Sequence, residues 1–98
     1  MNNDADYSVS SVRYDRRHQH IQLVRVHTEP NHFLLGNQVR HQVVESVRRG
    51  NGWITIVQDS ASWRKSADVH IVIAKGREYL RTDRNEVEED NLGNLPEF

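Results

Sequence analysis

One segment of the chain carries apolar residues at helical spacing. Between Gln38 and Arg49, Val39, Val43, Val44 and Val47 recur at i, i+4, i+5 and i+8, which puts them on one stripe of a helix. The other apolar clusters are short and bounded by turn residues, as strands are. One helix among several strands restricts the chain to an α+β arrangement, with the helix packed on one face of a small sheet. Valine is a poor helix former, so that packing has to hold the helix in place. Asn37 suits the N-cap. Arg48 and Arg49 suit the negative end of the dipole, and Gly50 supplies the stop.

The strands follow from alternation. Tyr7 to Asp15 offers Tyr7, Val9, Val12 and Tyr14. The step from Val9 to Val12 breaks a period of two, and a bulge near Ser10-Ser11 would restore it. Asp15-Arg16-Arg17-His18 reads as a turn into a second strand, His20 to His27, so the pair forms an antiparallel hairpin. Thr28 to Gly36, with Pro30 and Asn31, reads as a loop. After the helix, Gly52 to Asp59 holds Trp53-Ile54-Thr55-Ile56-Val57, the clearest strand, and Asp59 to Asp68 reads as a polar loop containing Trp63. Val69 to Ala74 and Glu78 to Arg81 flank Lys75-Gly76, a two-residue hairpin turn in which Gly takes positive φ. The expected order is ββαβββ, in a small twisted antiparallel or mixed sheet. Val39, Val43, Val47, Ile54, Ile56, Ile71, Ile73 and Leu80 are the expected core.

The 98 residues suit one domain, and 36% hydrophobic residues with a mean hydropathy of −0.81 leave little for its core. Stability of about 5 kcal/mol is expected, so self-association would help. A two-fold homo-oligomer is the expectation, with Trp53 turned away from the helix-covered face. No apolar run approaches the ~20 residues of a membrane span, and Met1 to Asp6 lacks the basic and apolar regions of a signal peptide. Cysteine is absent, which removes disulfides and thiolate metal sites. A cytoplasmic setting is expected.

Charge divides the chain. Residues 1–82 hold 12 Arg/Lys against 8 Asp/Glu, whereas residues 83–98 hold 1 against 6. That pattern suggests a flexible N-terminus over residues 1–6, a domain over 7–82, and an acidic then apolar tail over 83–98. Leu92, Leu95 and Phe98 would let residues 91–98 dock on the domain. A merely solubilising tail would not need them.

The end of the chain reads R-T-D-x-N-x(4)-D-N-L-G-x-L-P, from Arg81 to Pro96. With Val12-Arg13-Tyr14 and the helix from Val39 to Gly50, this pattern resembles a family of small bacterial and phage-borne proteins classed as a domain of unknown function. The resemblance implies a cytoplasmic single-domain α+β protein and supplies no functional residues.

Pairing across Lys75-Gly76 sets Ala74 against Arg77, Val72 against Tyr79 and His70 against Arg81. If the helix covers Val69, Ile71 and Ile73, then His70, Arg77, Tyr79 and Arg81 share the opposite face. An aromatic ring between guanidiniums can stack a planar group and hold a phosphate. Two bland alternatives stand beside that one: a solvated sheet face, or an acidic tail folded over the face that satisfies the arginines itself.

Other chemistries have thinner support. His18 and His20 lie at i and i+2, where both could reach one ion, but His27, His32 and His41 are scattered and three or four converging ligands are needed. Asp83, Asn85, Asp90 and Asn91 fail the spacing of a calcium loop. No nucleophile-elbow or phosphate-loop motif is present. Arg13, Arg16, Arg17 and Arg25, with Arg40, Arg48 and Arg49 on the helix, could attract nucleic acid, although the excess of +4 before the tail is weak for that role. The composite expectation is a non-enzymatic binding module without cofactor or metal. Its ligand would be a small, phosphate-bearing anion held or sequestered by Arg77, Tyr79, Arg81 and His70. A protein-interaction module of the inhibitor or immunity type, or a weak nucleic-acid binder, is the alternative.

Overall fold

The computed structural model describes residues 5–98, so most of the expected flexible N-terminus lies outside the described residues. Among the described residues the fold is α+β, with seven strands and one helix. In order these are β1 (Tyr7–Tyr14), β2 (Ile21–Thr28), β3 (Phe33–Val39), α1 (Arg40–Arg48), β4 (Trp53–Asp59), β5 (Ser62–Asp68), β6 (His70–Ala74) and β7 (Arg77–Arg81). Five strands form a mixed sheet in the order β3-β2-β1-β4-β5, and β6 and β7 pair separately. Within that sheet β1 and β4 run parallel, and the other strand pairs described are antiparallel.

Two strands depart from expectation. Phe33 to Gly36 belongs to β3, not to a loop, and Ser62–Asp68 is β5, not a polar loop. Both are edge strands. An edge strand is wetted along one side, so its side chains need not alternate, and SWRKSAD offers only Trp63 and Ala67 as apolar residues. The extension of β3 also moves the helix start. Val39 ends the strand and caps α1, with its N–H donating to Gln42 Oε1 at 3.1 Å. Val39 is therefore 46% exposed and not a core residue, while Val43 and Val44 are buried.

The bulge in β1 lies where the valine spacing requires it. Val9 faces Val26 and Ser11 faces Arg25, so Ser10 is the extra residue. Val9 and Val12 are both fully buried in the core, with Val24, Val26, Val43, Trp53, Leu80, Leu92 and Leu95. Of the other expected core residues, Ile54, Ile56 and Leu80 are buried, and Val47 and Ile71 are half-buried against the core. Ile73 is not in the core. It is 62% exposed because only the base of the hairpin is covered on that side. Trp53, expected to face away from the helix, packs toward it: its indole N–H donates to Ser46 Oγ of α1 at 2.9 Å, and its ring lies 4.9 Å from that of Tyr7.

Pairing between β1 and β4 runs from Tyr7↔Trp53 to Val9↔Thr55 and stops. Beyond that point β4 continues with β5 to Asp59. The vacated flank of β1 is met by the last segment of the chain. Val12 N–H donates to the Pro96 carbonyl at 3.0 Å, and Phe98 N–H donates to the Val12 carbonyl at 3.1 Å. The wedge between the diverging strands positions the candidate site.

Candidate functional site

The last hairpin has the expected register, from His70↔Arg81 to Ala74↔Arg77. Lys75 and Gly76 have φ of 51° and 78°, as a tight two-residue hairpin turn demands. The surface around it differs from expectation. Tyr79 and Arg81 are 3% and 4% exposed, so His70, Arg77, Tyr79 and Arg81 do not form one open face. Arg77 is exposed and His70 half-buried. Tyr79 stacks on His20 at 5.8 Å. The Arg81 guanidinium holds Asp83 through Nε at 2.7 Å and Nη2 at 3.0 Å, and donates to the Glu89 carbonyl at 2.9 Å. Its hydrogen bond to Asp83 raises the Arg81 pKa and holds the Asp83 carboxyl below its ordinary value.

Residues after β7 account for this burial. Asn91 N–H donates to the Leu80 carbonyl, and Thr82 N–H to that of Asn91. The Asp90 carboxylate is fully buried and accepts from Ile21 N–H at 2.7 Å, Leu80 N–H at 2.8 Å and Arg40 Nε at 2.7 Å. Gly93 has φ of +80°, which glycine adopts without strain, between the buried Leu92 and Leu95. Arg81, Asp83, Asp90, Leu92 and Gly93 thus act in architecture. Asp90 and Asn91 serve the backbone, and Asp83 accepts from Asn85 N–H at 3.0 Å.

The histidines disperse as well. His18 meets Glu97 at 3.1 Å and His20 meets Asp15 at 3.5 Å. Among the described residues, no three His, Asp or Glu side chains converge as a metal site would require. Several arginines are engaged within the fold. Arg40 is engaged by Asp90, Arg48 by Glu45 and Glu78, and Arg64 by Asp59. Arg13 and Arg25 both lie over the Phe98 ring, at 5.1 and 4.7 Å.

The wedge between β1 and β4 opens as a groove of about 610 Å³, within the usual range of small-molecule sites. Ser10, Ser11, Arg25 and His27 supply its polar wall, and Leu34, Val57, Trp63, Pro96 and Phe98 its apolar surface. His27 is buried and fixed at both nitrogens. Nδ1 lies 3.1 Å from the His32 carbonyl and Nε2 lies 2.7 Å from Ser10 Oγ. A carbonyl can only accept, so in the neutral ring Nδ1 carries the hydrogen and Nε2 accepts from the serine. The Trp63 ring stands 5.3 Å from the imidazole. Glu97 also lines the groove, with its carboxylate engaged by His18.

Ser11 stands apart from this network. Its Oγ is the one buried side-chain polar atom without a hydrogen-bond partner among the described residues. The bulge explains its position. In a bulge two consecutive residues oppose one on the neighbouring strand, so Ser10 and Ser11 both line the groove while Val9 and Val12 stay in the core. A serine hydrogen-bonded to an oriented imidazole is also how nucleophilic serines are activated. Acyl transfer would further need an array of oxyanion donors.

Sequence reasoning missed Ser10, Ser11, His27, Trp63 and Phe98 as site residues. A signal was present in Ser8, Ser10 and Ser11, which place three hydroxyls in a strand whose valines are buried.

No curated protein and no solved structure matches the chain. The family described as a protein of unknown function, DUF3892, matches over residues 8–96, and the chain belongs to that family.

Proposed function

We propose that the protein is a small non-enzymatic binding module, and that the groove between β1 and β4 holds a small ligand with a flat apolar body and an anionic group. The observation that carries this reading is the groove lining, where the Arg25 guanidinium stands together with the rings of Trp63 and Phe98. Arg25 supplies positive charge, since its guanidinium lies over Phe98 and makes no ion pair among the described residues. Trp63 and Phe98 offer aromatic faces to a planar group.

The expected binding role therefore moves from the last hairpin to the groove, because Arg81 and Tyr79 are already committed to the fold. Two probes test it: 8-anilinonaphthalene-1-sulfonate, followed by its emission, and adenosine 5′-monophosphate, followed by calorimetry. Saturable binding of at least one probe is expected, weakened about tenfold or more by Arg25→Gln and by Trp63→Ala, a change of about 1.4 kcal/mol. Equal affinity in the wild type and both variants, or no saturation by either probe, would overturn the proposal.

A further inference from the structure

The polar wall of the groove holds a buried imidazole whose two nitrogens are both engaged. His27 has Nδ1 3.1 Å from the His32 carbonyl and Nε2 2.7 Å from Ser10 Oγ. In the neutral ring Nε2 accepts the serine hydrogen, so Ser10 turns only lone pairs to the groove. Such a wall disfavours an anion. Protonation reverses this without moving a heavy atom. Both ring nitrogens then donate, to the His32 carbonyl and to Ser10 Oγ, and the serine hydrogen is free to point into the groove. Ser10, His27 and Arg25 all line that groove. Arg25 precedes His27 by two residues on β2, which sets their backbones about 7 Å apart along one face.

From this geometry we infer that the groove takes up its anionic ligand together with a proton, which His27 holds, and that Ser10 then donates its hydrogen to the anion. The inference rests on the groove as the ligand site and specifies how that site selects an anion over a neutral aromatic compound. Arg25, on His27's own strand, opposes the protonated imidazole, and an anion bound to Arg25 removes that opposition. The other neighbours leave the balance to the ligand. His27 lies opposite Ser8 of β1 and Leu34 of β3 and against Trp63 of β5, none of them charged. The loop after β2 brings His32 and Glu29, whose carboxylate lies 2.5 Å from His32 Nδ1 and accepts from Ser8 Oγ at 2.8 Å. Glu97 lines the groove and meets His18. Linkage is reciprocal: the anion raises the proton affinity of His27 by the factor by which the proton raises the affinity for the anion.

The probe is 8-anilinonaphthalene-1-sulfonate, whose sulfonate keeps its charge across the range in which imidazoles titrate, about pH 5 to 8. Its affinity for the full chain should rise about threefold or more between pH 8 and pH 5.5, with the far-ultraviolet circular dichroism spectrum unchanged. The His27 Cε1–H resonance of the wild type, followed against pH, should titrate at a higher midpoint with the probe saturating than without it. His27→Gln should bind with an affinity independent of pH, and Ser10→Ala should lose more affinity at pH 5.5 than at pH 8. If His27→Gln does not fold, the wild-type resonance decides. Saturable binding whose affinity does not change with pH, or a His27 midpoint unmoved by the probe, overturns the inference and leaves the groove as the site. A pH dependence that survives in His27→Gln overturns it too, because another group then takes the proton. Absence of saturable binding at every pH overturns the groove as the site and this inference with it.

Discussion

Arg40, the first residue of the helix, reaches Asp90 in the segment after the last strand, with Nε 2.7 Å from Oδ2. The carboxylate is fully buried and the guanidinium about one-quarter exposed. Asp90 also receives the backbone N–H groups of Ile21 and Leu80, so one side chain joins the start of β2, β7 and α1.

Asp90→Asn should destabilise the protein by about 3–5 kcal/mol, the usual effect of leaving one partner of a buried ion pair unmatched. The amide nitrogen brings a donor to a site already crowded with donors. Against an expected total of about 5 kcal/mol, urea denaturation should find the variant largely unfolded. A midpoint shift worth less than about 1 kcal/mol would contradict the structural role given to Asp90.

Leu92 is 1% exposed within the core. Leu92→Ala should cost about 2–5 kcal/mol. Removing residues 91–98 should cost at least as much, because Leu95 and the backbone bonds of Val12 to Pro96 and Phe98 go as well. Thermal melts of both variants check this. Melting temperatures equal to that of the wild type would show that the segment contributes nothing to stability.

Acid should weaken the fold. Three aspartates, Asp15, Asp68 and Asp83, have pKa values held below the ordinary 3.8. The main causes are the Gln19 N–H for Asp15, the Lys65 ammonium for Asp68 and the Arg81 guanidinium for Asp83. A carboxyl with a depressed folded-state pKa takes up its proton first in the unfolded chain. Its stabilisation is present above the unfolded pKa and is lost as pH falls through the folded one. The melting temperature should therefore fall below about pH 4. Asp83→Asn should melt lower than the wild type at neutral pH and lose less on acidification. A parallel decline in the two proteins would refute the Arg81–Asp83 contribution.

Ser11→Ala tests the buried hydroxyl that has no partner among the described residues. Removing a buried donor that has no partner should leave stability unchanged or raise it by up to about 1–3 kcal/mol. A loss of stability would mean that Ser11 has a structural partner in solution.

Features set by neighbouring residues were legible in the sequence. The odd spacing from Val9 to Val12 located the bulge, and Lys75-Gly76 fixed the hairpin register residue by residue. Features set by distant residues were not. Tyr79 and Arg81 alternate onto the face that looked open, and what buries them includes His20 and the Asp83 to Asn91 segment, whose path no local pattern encodes. The groove exists because β4 parts from β1 after Thr55. That divergence depends on a parallel pairing across more than forty residues of sequence, so His27 and Trp63 carried no local mark of their proximity.

The groove as the ligand site is tested most directly by mapping binding on the wild-type protein with ¹⁵N–¹H correlation spectra during titration with adenosine 5′-monophosphate and, separately, 8-anilinonaphthalene-1-sulfonate. The account predicts saturable shifts concentrated at the amides of Ser10, Ser11, Arg25 and His27 and at the Trp63 indole N–H, with the Trp53 indole unmoved. Shifts centred instead on His70 and Arg77, or no saturable shifts with either compound, would contradict it.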